Sequence, residues 1–146
     1  MGSKKGKTLL FKVVLDTNIL VSSLLASGPP AAIVDLIADG RIIPFYSNSI
    51  LQEYYDVLSR KKFYFSHFQV TRLIDNIVTA GIAVEGKPSY KNKKAAEDDR
   101  KFYDAAIEAQ AYLVTGNTRH FPSEPIIVTP ARFLTFYRSN SNSFVH

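Results

Sequence analysis

The chain has 146 residues, the length of one domain, and its 46% apolar and 21% charged residues are typical of a soluble globular protein. It contains no cysteine, which excludes a disulfide scaffold, a zinc finger, a thiol nucleophile and an iron–sulfur site. The formal net charge is +5, but Lys4, Lys5 and Lys7 carry three of those charges, so the remaining sequence is weakly basic. No apolar run approaches the ~18–20 residues that span a bilayer, so we expect a cytoplasmic protein without membrane association.

The first half of the chain predicts two strands, each followed by helical segments. In chain order, the predicted elements are a strand at residues 11–15, helices at 19–25 and 31–39, a strand at 42–46, and a helix from 49 to about 59. The turn-prone Asp16-Thr-Asn18 follows the first strand directly, and Gly28-Pro-Pro30 separates the first two helices. Ser49-Ile-Leu-Gln52 is a capping-box pattern that predicts the start of the third helix.

The second half continues the alternation of helices and strands. The predicted elements are a helix at residues 66–80, a strand at 82–84, a basic loop at 86–94, a helix at 97–111, strands at 112–115 and 126–128, and a helix from 130 to about 137. Gly81 is expected at the C′ position of the first of these helices, and Thr129-Pro130 caps the last one. Residues 1–10 are predicted to be a disordered basic N-terminus, 11–138 a single domain, and 139–146 a flexible tail.

This alternation predicts a three-layer α/β/α sandwich around a mostly parallel, Rossmann-like sheet. In such sheets ligands bind beyond the carboxyl ends of the strands. Asp16 follows the first strand, and Asn117 follows the predicted strand that begins at Tyr112. If those strands are neighbours, both side chains face one crevice.

Helical geometry predicts two further acidic residues near that crevice. Asp99 lies near the middle of the apolar arc of the helix at 97–111, and Glu53 lies at the edge of an apolar stripe. The polar residues predicted on the far side of the Asp99 helix are Arg100, Lys101, Asp104 and Glu108. A carboxylate on an inward face must be paired, protonated or bound to a metal.

Each acid also has an ordinary structural interpretation. Asp16 is then a turn residue, Asp99 a first-turn carboxylate that the helix dipole favours, and Glu53 a solvated boundary residue. Their convergence favours a cation, because three carboxylates with few neutralising residues nearby in sequence would repel one another. Oxygen ligands without His or Cys suit Mg²⁺ or Mn²⁺ better than zinc.

Four stretches together resemble the PIN-domain family, and the resemblance extends from about Phe11 to Tyr137. They are Val13-Val-Leu-Asp-Thr-Asn-Ile-Leu20, Ser47-Asn-Ser-Ile-Leu-Gln-Glu-Tyr54, Glu97-Asp-Asp-Arg-Lys-Phe-Tyr-Asp-Ala-Ala106 and Tyr112-Leu-Val-Thr-Gly-Asn117, in the family's order and spacing. The closing Val128-Thr-Pro-Ala-Arg-Phe-Leu134 is similar to a subgroup related to VapC-type toxins of toxin–antitoxin pairs.

The resemblance implies a ribonuclease that uses Mg²⁺ or Mn²⁺ to hydrolyse phosphodiester bonds of single-stranded RNA. Asp16, Glu53 and Asp99 match the first three acidic positions of the family, as catalytic residues and metal ligands. Asn117 stands at the fourth position, which is usually Asp, so a second metal is in doubt. The resemblance also implies that Thr17, Asn18 and Ser47 orient the carboxylates or contact phosphate, although Ser47 equally suits a helix N-cap.

Basic residues near the predicted crevice suit an RNA backbone. Lys91, Lys93 and Lys94 lie in the loop before the Asp99 helix, where Tyr90 is available to stack on a base, but a solvated loop explains them equally well. Arg119 follows Asn117 closely enough to touch phosphate, and the adjacent His120 is interpreted as a surface residue. Toxin-type relatives imply a homodimer and a cognate antitoxin.

Other functions stay open or are excluded by particular residues. A PIN-like module that binds RNA or protein without catalysis is the alternative, with Asn117 as the sign of lost activity. A phosphatase of the haloacid dehalogenase type needs a second Asp two residues after the first, where this chain has Asn18. A dinucleotide-binding oxidoreductase needs a glycine-rich turn after the first strand, which is absent from this sequence. A PIN domain acting in RNA processing rather than as a toxin also remains possible.

Overall fold

The computed structural model describes residues 11–89 and 97–143. In this part of the chain the strands are β1 (Phe11–Leu15), β2 (Ile42–Tyr46), β3 (Ile82–Ala83), β4 (Tyr112–Val114) and β5 (Ile127–Val128). The helices are α1 (Thr17–Leu25), α2 (Pro29–Ala38), α3 (Asn48–Leu58), α4 (His67–Ala80), α5 (Glu97–Ala109) and α6 (Pro130–Ser143). Short 3₁₀ turns occupy Lys61–Phe63 and Thr118–His120.

The five described strands form one sheet in the order β3-β2-β1-β4-β5, and every neighbouring pair is parallel. The predicted α/β sandwich with a parallel central sheet is therefore confirmed. The chain first builds the sheet outward from β1 through β2 to β3, and then returns to place β4 on the other side of β1. The order of the strands thus reverses between β1 and β4, which is the position where open α/β sheets bind ligands.

Strand β1 lies at the centre of the sheet and of the core. Val13, Val14 and Leu15 are at most 1% exposed, because helices cover both faces of the sheet. Helices α2 and α4 pack on β2, whereas α5 packs along β1, β2 and β4. The burial of β1 fixes the direction in which the residue that follows it, Asp16, leaves the sheet.

The helix boundaries depart from the sequence predictions by two or more residues at four places. Helix α1 begins at Thr17 rather than residue 19. Helix α2 begins at Pro29 rather than residue 31, since proline is tolerated in the first turn of a helix. Helix α5 ends at Ala109 rather than 111, because Gln110 adopts a left-handed conformation (φ 55°) and Ala111 N–H donates to the Ala106 carbonyl. Helix α6 continues to Ser143, so its predicted end near residue 137 was too early and part of the predicted flexible tail is helical.

Helix caps differ from the predictions in detail. Ser47, and not Ser49, is the N-cap of α3, and its hydroxyl accepts a hydrogen bond from Ile50 N–H at 3.4 Å. A capping box does open α4, where Ser66 and Gln69 bond each other's backbone N–H groups. Gly81 is the C-cap residue of α4, with extended backbone (φ −107°), rather than the expected C′ residue.

Four aromatic residues between α3 and the first turn of α4 divide between core and surface: Phe63, Tyr64, Phe65 and Phe68. The rings of Phe63 and Phe65 stack with centroids 5.4 Å apart and pack against the core. Tyr64 is 91% exposed and Phe68 is 67% exposed.

No helix in the described ranges is long and apolar enough by itself to cross a membrane. Helices α1 and α2 are long and apolar enough only when taken together, and the pair is bent by 100°.

Candidate functional site

A cleft of about 650 Å³ opens at the carboxyl ends of β1 and β4. The four residues predicted as its catalytic set all line it: Asp16, Glu53, Asp99 and Asn117. Thr17 and Asn18 line it as well. Its other lining residues are Ser49, Gln52, Asp56, Val57, Arg60, Asp98, Lys101 and His120. Carboxylates outnumber cationic side chains in this lining, so a polyanion needs additional cations in order to enter.

Asp16 is the most deeply placed carboxylate of the cleft, with 7% of its surface exposed. Its backbone N–H donates to the Val114 carbonyl at 3.0 Å, which ties the end of β1 to the end of β4. Its Oδ2 accepts a hydrogen bond from the Thr115 hydroxyl at 2.7 Å, and that hydroxyl oxygen accepts from Asn117 N–H at 3.0 Å. Thr115 therefore links the acid after β1 to the amide residue after β4, a role for which no local sequence signal exists.

The pKa of Asp16 is raised above its ordinary value by burial, and the negative charges of Asp99 and Glu53 raise it further. The hydrogen bond from Thr115 opposes this shift. The fold thus holds a carboxylate where its charge is unfavourable and where two other carboxylates add to the penalty. A bound cation would remove that penalty.

Glu53 projects from α3 and has a hydrogen-bond donor at each carboxylate oxygen. Thr17 Oγ1 donates to its Oε2 at 2.5 Å, and Lys101 Nζ lies 2.7 Å from its Oε1. Lys101 Nζ also donates to the Asp98 carbonyl at 2.8 Å. Lys101 was predicted on the far side of α5, and this prediction was wrong, because the long lysine side chain reaches Glu53 and lines the cleft.

Asp99 lies in the first turn of α5 with 25% of its side chain exposed. Its Oδ2 is 3.5 Å from Nδ1 of His120, which lies on the 3₁₀ turn after β4. His120 was interpreted as a surface residue, and its side chain is 58% exposed, yet it borders the cleft. The helical periodicity of α5 predicts the inward position of Asp99, but it contains no information on His120, which belongs to the turn after β4.

Tyr54 connects α3 to the end of β1 beneath the site. Its side chain is buried in the core, and its hydroxyl donates to the carbonyl of Leu15, the last residue of β1, at 2.6 Å. Burial raises the pKa of Tyr54, and the charges of Asp16 and Glu53 add to the effect, so the hydroxyl stays protonated and keeps donating.

Two of the other predicted binding residues, Ser47 and Arg119, do not line the cleft. Ser47 is 3% exposed as the N-cap of α3 and does not line the cleft. Arg119 lines a separate cavity of about 380 Å³. Lys91, Lys93 and Lys94, together with Tyr90, lie outside the described residues.

Two acids predicted on the exposed side of α5 anchor the segment after β3. Asp104 is 7% exposed and accepts from Ser89 N–H at 3.0 Å, so its predicted exposure was wrong. Glu108 accepts from the backbone N–H groups of Glu85, Gly86 and Lys87. Hydrogen bonds from these amides lower the pKa of Glu108. These contacts hold residues 85–89 against α5.

Within residues 11–89 and 97–143, no three Asp, Glu or His side chains lie close enough together to ligate one metal ion jointly. Mg²⁺ in proteins commonly keeps several waters and takes one or two carboxylates. The oxygen donors of Asp16 and Asp99, with the Asn117 amide beside them, fit that mode of binding.

Comparisons with known proteins agree with this architecture. The PIN-domain family profile matches residues 12–119. The chain belongs to the PIN-domain family. This PIN domain is 30% identical over 118 residues to the uncharacterized protein MJ1680 of Methanocaldococcus jannaschii, a match that covers 78% of this chain and 76% of that protein.

The fold of this PIN domain is also similar to a solved structure. That structure is the crystal structure of VapBC2 from Rickettsia felis bound to a DNA fragment from their promoter. The match has a TM-score of 0.51 and 18% sequence identity, and it covers 82% of this chain and 97% of the other.

Proposed function

We propose that this PIN domain is a ribonuclease that hydrolyses phosphodiester bonds in single-stranded RNA and depends on Mg²⁺ or Mn²⁺. The observation that carries the proposal is the convergence of Asp16, Glu53 and Asp99 in one cleft at the junction of β1 and β4. The raised pKa of Asp16, caused by burial and by the other two charges, supports a site built to hold a cation.

Asp16 and Asp99 are the residues that would hold the divalent cation, with Glu53 and Asn117 beside them. When bound, such an ion neutralises charge on the phosphate and activates water for attack. Thr115 orients the Asp16 carboxylate, and Thr17 orients Glu53. Asn18 and Arg60 line the cleft where the sugar–phosphate backbone would lie, and Arg60 supplies positive charge there. Arg119 and the lysines at 91, 93 and 94 are further RNA contacts in this proposal.

The same proposal includes the biological setting. The fold similarity to VapBC2 supports a role as the toxin of a toxin–antitoxin pair, with an antitoxin as partner. A homodimer is the assembly that the resemblance to toxin-type relatives implies. The cytoplasm is the compartment in which such a pair would act.

Cleavage of RNA with defined metals tests the activity. A labelled single-stranded RNA of mixed sequence is incubated with the protein in Mg²⁺, Mn²⁺ or EDTA, beside the same RNA annealed to its complement. We expect endonucleolytic products from the single strand in either metal, and none in EDTA. Cleavage that persists in EDTA after metal-free purification would contradict the proposal.

A second candidate is a PIN-like module that binds RNA or protein without cleaving it, and Asn117 favours it because the usual fourth acid is absent. The variant Asn117→Asp separates the two functions. If the wild-type protein binds RNA without cleaving it and Asn117→Asp cleaves it, the binding module is correct. Asn76→Asp, which makes the same charge change on α4 outside the cleft, is the control.

A further inference from the structure

We propose that Lys101 is a cation built into the cleft, in place of a second metal ion, so that the site takes one divalent cation. Glu53 is then the anchor of Lys101 rather than a metal ligand. This inference rests on the proposed function, since it assigns the charges of that same site.

The contacts of Glu53 support this assignment. One carboxylate oxygen accepts from Thr17 Oγ1 at 2.5 Å, and the other is 2.7 Å from Lys101 Nζ. A metal ion that took Glu53 as a ligand would have to displace one of these partners. Charge-assisted hydrogen bonds of this kind are roughly twice as strong as neutral ones, so the displacement is unfavourable.

The position of Lys101 is fixed by two acceptors. Its ammonium group bonds both Glu53 and the Asp98 carbonyl, and its side chain is 24% exposed against 25% for Glu53. The contrast within the chain is Lys87 with Glu85, an ion pair whose side chains are 69% and 75% exposed. A partly buried pair is screened less by salt and water than a surface pair, so the charge of Lys101 stays in the cleft.

The charges of the central groups balance with one metal ion. Asp16 and Asp99 carry two negative charges, which one divalent cation neutralises, and Lys101 neutralises Glu53. Asn117 adds no charge where the family usually has a fourth acid. A second divalent cation would therefore leave an excess of positive charge among Asp16, Glu53, Asp99 and Lys101. The other acids of the lining, Asp56 and Asp98, are exposed, so solvent screens their charges.

This placement gives Lys101 a role toward the substrate. A fixed ammonium group at the wall of the cleft faces the space that a scissile phosphate enters, where negative charge develops during hydrolysis. A preorganised positive charge in that position stabilises the transition state more than the ground state. Lys101 also keeps Glu53 away from the cation, which makes it a positioning residue for the metal site.

Mn²⁺ binding tests the inference without RNA. Bound Mn²⁺ is counted by the loss of the free-ion signal in electron paramagnetic resonance, for the wild-type protein, Lys101→Met, Lys101→Arg and Lys87→Met. We expect one Mn²⁺ per wild-type chain. In Lys101→Met the freed Glu53 should give about tenfold tighter binding or a second bound ion, because about 1.4 kcal/mol of lost repulsion is a factor of ten. Lys101→Arg and Lys87→Met should match the wild type.

Single-turnover RNA cleavage provides the second readout. Lys101→Met should cleave at least about tenfold more slowly although it binds Mn²⁺ more tightly, and Lys101→Arg should retain most of the rate. If the role of Lys101 were purely structural, its replacement would not tighten Mn²⁺ binding and slow RNA cleavage at the same time. If Lys101→Met does not fold by circular dichroism, Lys101→Gln replaces it.

Two results would overturn the inference. One is a wild-type protein that binds two Mn²⁺ ions, or none; the other is a Lys101→Met protein with unchanged Mn²⁺ affinity and stoichiometry. Failure of the proposed function looks different: the Mn²⁺ results hold as expected, but neither wild type nor variant cleaves RNA.

Discussion

Asp16 combines features that oppose stability and favour function. It is a buried carboxylate at the end of the central strand, close to two other negative charges, and it accepts a hydrogen bond from the Thr115 hydroxyl. Because the native fold raises its pKa, the protonated form is favoured in the folded state relative to the unfolded chain. Sites that bind cations commonly hold such unfavourable charge, and stability is lost in exchange for function.

The upward shift of the Asp16 pKa determines how the stability of the protein changes with pH. Between the ordinary pKa of Asp16 and its raised folded value, the native state binds more protons than the unfolded state. The free energy of unfolding therefore falls as pH rises through that window. Asp16→Asn removes the titration and keeps an oxygen for the Thr115 hydroxyl. In EDTA at pH 7 we expect the variant to be more stable by about 1 kcal/mol, or about 3 °C in Tm.

Calorimetry or thermal circular dichroism from pH 3 to pH 8 measures this difference. The advantage of Asp16→Asn should grow as pH rises and level off above the folded pKa. Asp75→Asn, the same substitution on the exposed surface of α4, serves as the control. An Asp16→Asn protein that is less stable than the wild type at pH 7 in EDTA would show that the buried charge is compensated within the protein.

At the scale of elements, the junction of α4, β2 and β3 requires a glycine, because backbones approach one another there too closely for any side chain. A Cβ atom built on Gly81 would overlap the carbonyl oxygens of Pro44 and Ile77. Gly81 is therefore needed for the close approach of backbones, and not for a positive φ angle. The junction seats β3 beside β2 and leads the chain toward the segment that Glu108 holds.

Gly81→Ala should destabilise the fold by about 2–3 kcal/mol, because backbone atoms of β2 and α4 must move to admit the methyl group. Gly116→Ala is the matched control, since a Cβ there would meet no atom within 4 Å. Urea unfolding of both variants measures the difference. Equal unfolding midpoints for Gly81→Ala and the wild type would show that the junction is more adaptable than its geometry indicates.

Periodicity and turn chemistry predicted the order and type of all the described α-helices and strands, because each of these signals is local. The ends of α5 and α6 were missed for local reasons too. Gln110 takes a left-handed conformation that glycine usually marks, and α6 continues through a polar segment typical of a tail. The order of the strands has no local signal, since it results from the packing of distant segments.

At the scale of the whole molecule, the site is assembled from four separate parts of the chain. Thr17 bonds Glu53 across 36 positions, Lys101 bonds Glu53 across 48, and Thr115 bonds Asp16 across 99. The residues of the acidic set could be predicted because each follows a strand or occupies an inward helical position. The partners that neutralise or orient them could not, since Lys101, His120 and Thr115 reach the acids only in the folded chain.

The most direct test of the central claim is the single-turnover rate of RNA cleavage in Mn²⁺ by Asp16→Asn, compared with the wild type and Asp75→Asn. If Asp16 holds the catalytic cation, its variant should lose at least about a hundredfold in rate while its circular dichroism spectrum stays native. Asp75→Asn should cleave at the wild-type rate. Cleavage by a folded Asp16→Asn protein at the wild-type rate would contradict the account.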